Sequence, residues 1–227
     1  MNKDKLKKLG MNMLIGLAGL LVVILVAPFF IPVPALENTL PVVALADADS
    51  LFVATGEYKT HYKTTGDGET VFILLHGFGA SVYSWDAVME PLAEISTVYA
   101  YDRPAFGLTE RLVEWEGDNP YSADSAVEQL RILMDFWNVE QAVLVGNSAG
   151  GGIAIRFAEQ YPEKVEALIL VSPATGGGSS RFGVVEPLFS LPQFHRLGPL
   201  FVRGIAESGM DTLSQAWHDP SLTTEYT

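Results

Sequence analysis

Ala142-Val143-Leu144-Val145-Gly146-Asn147-Ser148-Ala149-Gly150-Gly151 is the stretch that decides the fold. Residues 142–145 form a short apolar run of buried-strand type. A helical pattern begins at Ala149 and runs to residue 161, where Pro162 stops it. Between them stands Gly146-x-Ser148-x-Gly150. A serine in so tight a strand-to-helix turn takes a strained backbone conformation and lifts its hydroxyl above the sheet. Small residues on either side avoid clashes there, and Gly146 and Gly150 supply them. The first N–H groups of the helix carry partial positive charge and face negative charge developing beside the serine. Ser148 therefore reads as a nucleophile, and the N–H of Ala149 as one donor of an oxyanion hole.

Working outward, strands alternate with helices. Residues 51–55 and 57–64 read as a hairpin around Gly56, with Gly66-Asp67-Gly68 as a turn. Residues 71–76 (VFILLH) are a continuous apolar run, residues 82–95 a helix and residues 97–101 a strand. Residues 121–137 are helical, with Ser122 as N-cap and Val127, Leu130, Met134 and Trp137 on one face. Residues 165–171 (VEALILV) form another strand. This alternation predicts a mostly parallel sheet with helices on both faces.

Two loops follow the earlier strands. His76-Gly77-Phe78-Gly79 can aim a backbone N–H, that of Phe78, at the site above Ser148 as the second oxyanion donor. His76 reads as a brace for this loop, with Gly77 and Gly79 shaping it. Asp102-Arg103-Pro104-Ala105-Phe106-Gly107 reads as a loop shaped by local pairing of Asp102. His61, in the hairpin, reads as a solvated strand histidine.

HGFG, DRPAFG and GNSAGG, in this order on successive strands, resemble the α/β-hydrolase superfamily; the likeness spans residues 52–173. GNSAGG is also similar to the elbow of hydrolases that cleave carbon–carbon bonds in ring-fission products, and many esterases carry close variants. Ser148 departs from the aspartate nucleophile of epoxide hydrolases and haloalkane dehalogenases. The resemblance implies nucleophilic acyl transfer on an ester, thioester, lactone or diketone, through an acyl-enzyme that water hydrolyses. It implies a small-molecule substrate and no metal or organic cofactor.

In this family the triad runs Ser, Asp or Glu, then His. The position after residues 165–171 that can hold the acid is Ser172. Ser148, Asp211 and His218 have the right order, but seven residues on one helix separate Asp211 from His218 by about 10 Å. Hydrogen bonding needs about 3 Å. His195 and His218 lie in a helical tail. Residues 182–227 read instead as an incomplete helical cap, with Leu188, Phe189, Leu191, Phe194, Leu200, Phe201 and Trp217 lining a pocket or packing on the core. Triad acid and base are expected beyond residue 227, the final strands are expected to be missing, and the chain is expected to be an inactive, poorly soluble fragment. VEALILV is expected to stand as an exposed apolar edge.

The N-terminus carries a different signal. Residues 1–10 hold four lysines and one aspartate, and residues 11–31 hold no charge. Such a run spans about 30 Å as a helix, the thickness of a bilayer's hydrocarbon core. A cleaved signal peptide, with Ala44-Leu45-Ala46 as its small-residue site, is the rival, but its apolar run is about 7–15 residues. Lysines before the segment and acids after it predict a single-pass anchor with the N-terminus cytoplasmic and the catalytic domain outside. The domains expected are a basic tail (1–10), an anchor (11–31), a linker (32–50), a hydrolase core (51–181) and the partial cap (182–227).

Composition narrows the classes. With 14 basic and 27 acidic residues, the net charge is −13, which argues against nucleic-acid binding. The absence of cysteine excludes a disulfide scaffold and a thiol nucleophile. Two other functions are weighed against the hydrolase. One is a non-catalytic binding module that keeps the pocket. The other is a dinucleotide-binding oxidoreductase, since Gly77-Phe78-Gly79 follows a strand and Asp102 ends the next. That reading puts Val82 where the third glycine belongs and leaves Gly146–Gly150 unexplained.

Overall fold

The computed structural model describes residues 3–35, 39–175 and 191–207. The chain forms two compact units, Thr39–Gly178 and a second made of Met1–Asn38 with Ser179–Thr227.

The larger unit is built on six strands: β1 (Leu51–Thr55), β2 (Tyr58–Thr65), β3 (Val71–Leu75), β4 (Thr97–Tyr101), β5 (Ala142–Asn147) and β6 (Val165–Val171). Their order is β1-β2-β4-β3-β5-β6. The β1–β2 hairpin is antiparallel and joins the sheet through an antiparallel β2–β4 pair. β4, β3, β5 and β6 are parallel.

Period-two alternation explains why the inner strands are apolar throughout. Ile73 and Leu75 of β3, Tyr101 of β4 and Leu144 of β5 face one core, packed against Val127, Leu130 and Met134 of α4 (Ala123–Phe136) and Ile153 and Phe157 of α5 (Ala149–Gln160). Leu74, Val98, Ala100 and Val145 face the other, against Val82, Trp85 and Met89. A strand covered on both faces has no polar side to offer. The segment read as one helix over 82–95 is a 3₁₀ turn, Val82–Trp85, leading into α3 (Asp86–Ala93). α4 begins with Ser122 as N-cap, whose hydroxyl accepts the Ser125 N–H at 3.1 Å.

The segment before β1 contains one short helical turn, α2 (Val42–Leu45), and its end is bonded to the sheet. Lys63, almost buried, pairs with Asp47 and Asp49. The Tyr83 hydroxyl donates to Leu45 O. The expected linker over 32–50 is therefore fixed to the larger unit at its C-terminal end.

In the other unit, α1 (Lys3–Val26) is followed by a 3₁₀ turn, Ala27–Phe30, with Pro28 near its start. The window Gly10–Phe30, with mean hydropathy 2.7, is long and apolar enough to cross a membrane. α6 (Pro192–Glu207) belongs to this unit. Gln193 Nε2 donates to Leu25 O, in the last turn of α1, and Arg196 Nη2 to Ile31 O, just after the 3₁₀ turn, so both carbonyls find donors. Asp211, Trp217 and His218, and the cap positions Leu188 and Phe189, lie outside the described residues.

Candidate active site

Parallel sheets place their sites beyond the carboxyl ends of the strands. Four loops emerge there, after β3, β4, β5 and β6. Ser148 sits between β5 and α5 with φ 49° and ψ −115°, a conformation rare for any residue with a side chain. The surrounding structure holds it there. Its N–H donates to Val171 O at 3.0 Å, and its carbonyl accepts from Gly152 N and Ala174 N. A side chain on Gly150 would collide with the Leu75 and His76 carbonyls, and one on Gly146 with the backbone at Gly151. The turn is possible because the sheet, the helix and the loop after β6 meet backbone to backbone. Ser148 and Ala149 are half-buried, open on one side. Ala149 is the first residue of α5, where an N–H has no partner within the helix.

The loop after β3 comes against this turn. A Cβ on Gly77 would lie 2.8 Å from Asn147 Oδ1 and 3.5 Å from Ser148 Cβ. Gly77 O accepts two donors, His76 Nδ1 at 2.7 Å and Arg103 Nη2 at 3.0 Å. In a trans peptide the carbonyl and the next N–H point in opposite directions. Pinning Gly77 O thus turns the Phe78 N–H away from these donors. The Phe78 ring is exposed and meets Phe106 edge to face. Gly79 turns the loop with φ 73°.

Both nitrogens of His76 are engaged, since Nε2 accepts the Arg103 N–H at 3.1 Å. Burial, helped by the nearby Arg103 guanidinium, pushes this imidazole down to about 4. His76 is therefore neutral at pH 7, with its proton on Nδ1.

Asp102 is fully buried at the end of β4. One oxygen accepts the Val82 N–H at 2.8 Å. The other accepts the Leu108 N–H at 2.8 Å and meets His61 Nδ1 at 2.7 Å. Burial alone would raise this carboxyl, but the bonds from His61, Leu108 and Val82 outweigh it and hold it below the usual range. Gly107, with φ 49°, passes so close to the carboxylate that no side chain fits.

His61 corrects the sequence reading. It is not a solvated strand histidine: it is fully buried, with Nε2 bonded to Ser50 Oγ at 2.9 Å and Nδ1 to Asp102. The Phe52 ring lies 5.0 Å from the imidazole, Ser50 and Asp102 take its two nitrogens, and Thr109 of the loop after β4 binds its backbone, so no part of His61 is open to water. The lysine and threonine neighbours in YKTHYKTT suggest a wet face and hide this. Arg103 was also missed, since nothing in DRPAFG distinguishes it from a surface arginine. Asp102, with both oxygens occupied, is not an acid waiting for a ribose, which goes against the dinucleotide-binding alternative.

The site opens into a cavity of about 290 Å³ lined by Ala149, Gly152, Ile153, Arg103, Phe106, Tyr121 and Arg156, among others. A second, about 240 Å³, lies between His76, Gly77, Trp85 and Asn147.

The chain is similar to known proteins in sequence and in fold. An uncharacterized protein of Mycobacterium tuberculosis is 33% identical over 159 residues, 69% of this chain and 43% of that protein. A 2-hydroxy-6-oxononadienedioate/2-hydroxy-6-oxononatrienedioate hydrolase of Paraburkholderia phymatum is 34% identical over 127 residues, 54% of this chain and 43% of that enzyme. Among solved structures, a meta-cleavage product hydrolase matches with TM-score 0.50 and 34% identity, covering 54% of this chain and 45% of that one. An epoxide hydrolase from Vigna radiata matches with TM-score 0.50 and 28% identity, covering 53% and 37%. The chain thus spans less than half the length of these relatives. The family model described as "alpha/beta hydrolase fold" matches residues 70–212, a range that starts just before β3 and contains Ser148. The strand order, the strained serine and this match together place the chain in the alpha/beta hydrolase fold family.

Proposed function

We propose that this chain carries the nucleophile and oxyanion hole of a membrane-tethered serine hydrolase acting on an ester or related carbonyl compound. The observation that carries the reading is the backbone of Ser148, a strained non-glycine residue between β5 and α5 with the Gly77–Phe78 peptide against it. Ser148 Oγ attacks the carbonyl carbon and gives its proton to a base. The tetrahedral oxyanion accepts hydrogen bonds from Phe78 N–H and Ala149 N–H. It collapses to an acyl-enzyme as the leaving group departs with a proton, and water then releases the acid. Similarity to hydrolases of ring-fission products extends the reading to a diketone, where the bond broken is carbon–carbon and the leaving carbon takes the proton.

The base is not His61 or His76, whose ring nitrogens are all engaged. We place the triad acid and base outside the larger unit's described residues, with residues 182–227 contributing a cap. α1 serves as the anchor, N-terminus inside, with the hydrolase unit outside.

The test is labelling of the full chain in detergent micelles with a fluorophosphonate, read by intact mass and peptide mapping. Ser148 should be labelled, slowly compared with an intact homologous hydrolase, and the Ser148→Ala chain should not. A rate equal to that of the intact enzyme shows a base already acting on Ser148 and overturns the expectation of slow labelling. Engagement of both histidines also suits a second reading, a non-catalytic binding module; absence of any label on Ser148 selects it.

A further inference from the structure

The cavity beside Ser148 has an unusual charge for this protein. Acidic residues outnumber basic ones by 27 to 14, yet two arginines, Arg103 and Arg156, line it and no acidic side chain among the described residues does. The neighbouring cavity, beyond Pro120 and Ser122, is the reverse, with Glu57, Glu116, Asp118, Asp124 and Glu128 in its wall.

Arg103 is 7% exposed. Its guanidinium donates once, from Nη2 to Gly77 O, and stacks over the Phe106 ring at 4.9 Å. Its Nε–H is buried without an acceptor among the described residues. No described carboxylate forms an ion pair with it. A buried cation with most of its donors unused is costly, and an anion brought to it removes much of that cost. Arg156, also in the wall, is 55% exposed and meets Asp124 at 3.7 Å, a loose surface pair that leaves its charge available. The remaining wall is apolar and includes Ile153 and Phe106, with Ala149 at the start of α5.

We propose that this cavity is a carboxylate subsite, with Arg103 the principal anchor and Arg156 the second, so that the preferred substrate carries an anionic carboxylate. The proposal rests on the serine-hydrolase reading for its link to catalysis, but the subsite itself does not require Ser148 to react. Arg103 then acts twice: its Nη2 fixes the Gly77–Phe78 peptide, and its free donors meet the carboxylate.

The test is calorimetric titration of the full-length Ser148→Ala chain in a neutral detergent with hexanoate and with hexanamide, its uncharged isostere. Hexanoate should bind at least tenfold more tightly than hexanamide, and the difference should shrink as salt rises. Arg103→Gln should remove the preference, Arg103→Lys should retain part of it, and Arg156→Gln should lower it several-fold. Equal affinities for the two ligands, or no binding of hexanoate, overturn the proposal. So does a preference unchanged by Arg103→Gln. If Arg103→Gln does not fold, Arg156→Gln decides: its side chain is half exposed, and an unchanged preference there overturns the proposal. Failure of the fluorophosphonate to label Ser148 would instead overturn the hydrolase reading and leave the titration standing.

Discussion

Ser148 shows how much of a site one residue's surroundings determine. Its strained backbone is held by contacts that leave no room for side chains nearby. Gly150→Ala should therefore destabilise the larger unit by at least about 2 kcal/mol, because the new methyl meets fixed carbonyls rather than a flexible side chain. Chemical unfolding in detergent, followed by tryptophan fluorescence, reads this out. His76 makes a second prediction. Its imidazole titrates near 4 when folded and near 6.5 when unfolded. The folded state binds fewer protons, so the contribution is fully present above about pH 6.5 and is lost as pH falls toward 4. The loss amounts to about 3 kcal/mol. Replacing His76 by Gln should flatten this part of the stability–pH curve; a curve as steep as the parent's would assign the acid sensitivity elsewhere.

At the scale of elements, the loops after β3 and β4 are one assembly. Asp102 ties the start of the 3₁₀ turn at Val82 to Leu108 and, through His61, to Ser50 ahead of β1. Asp102→Ala would leave two buried N–H groups and a buried imidazole without their acceptor. It should cost more than about 3 kcal/mol. Asp102→Asn, which keeps one acceptor, should cost less, and equilibrium unfolding of the pair distinguishes them. These elements differed in legibility. The 142–151 stretch reads cleanly because strand, turn and helix are local patterns with local causes. Asp102 reads as a loop residue, but two of its partners, Val82 and His61, lie 20 and 41 residues before it in the chain. No local pattern encodes such pairings, so the role of His61 was invisible.

For the whole molecule, β6 is the telling strand. It is the last in the sheet order, and Ile169, Leu170 and Val171 are each more than a third exposed. Parallel strands are normally covered on both faces. The full chain in detergent should therefore self-associate with rising concentration, and Leu170→Lys should weaken that association while changing stability little. Light scattering across a concentration series checks this; association unaltered by the lysine would place the contact on another surface.

The sequence by itself determined the strand–helix alternation, the tight turn at Ser148, the apolar span near the N-terminus and the family, because each is written in periodicity or in short, contiguous residue sets. Only the tertiary structure decided that His61 is buried on Asp102, that Arg103 pins the Gly77 carbonyl beside an arginine-lined cavity, and that Gln193 and Arg196 bond the Leu25 and Ile31 carbonyls. Each of those joins residues distant in the chain, and what a polar side chain does depends on whether burial removes its water and which partner replaces it.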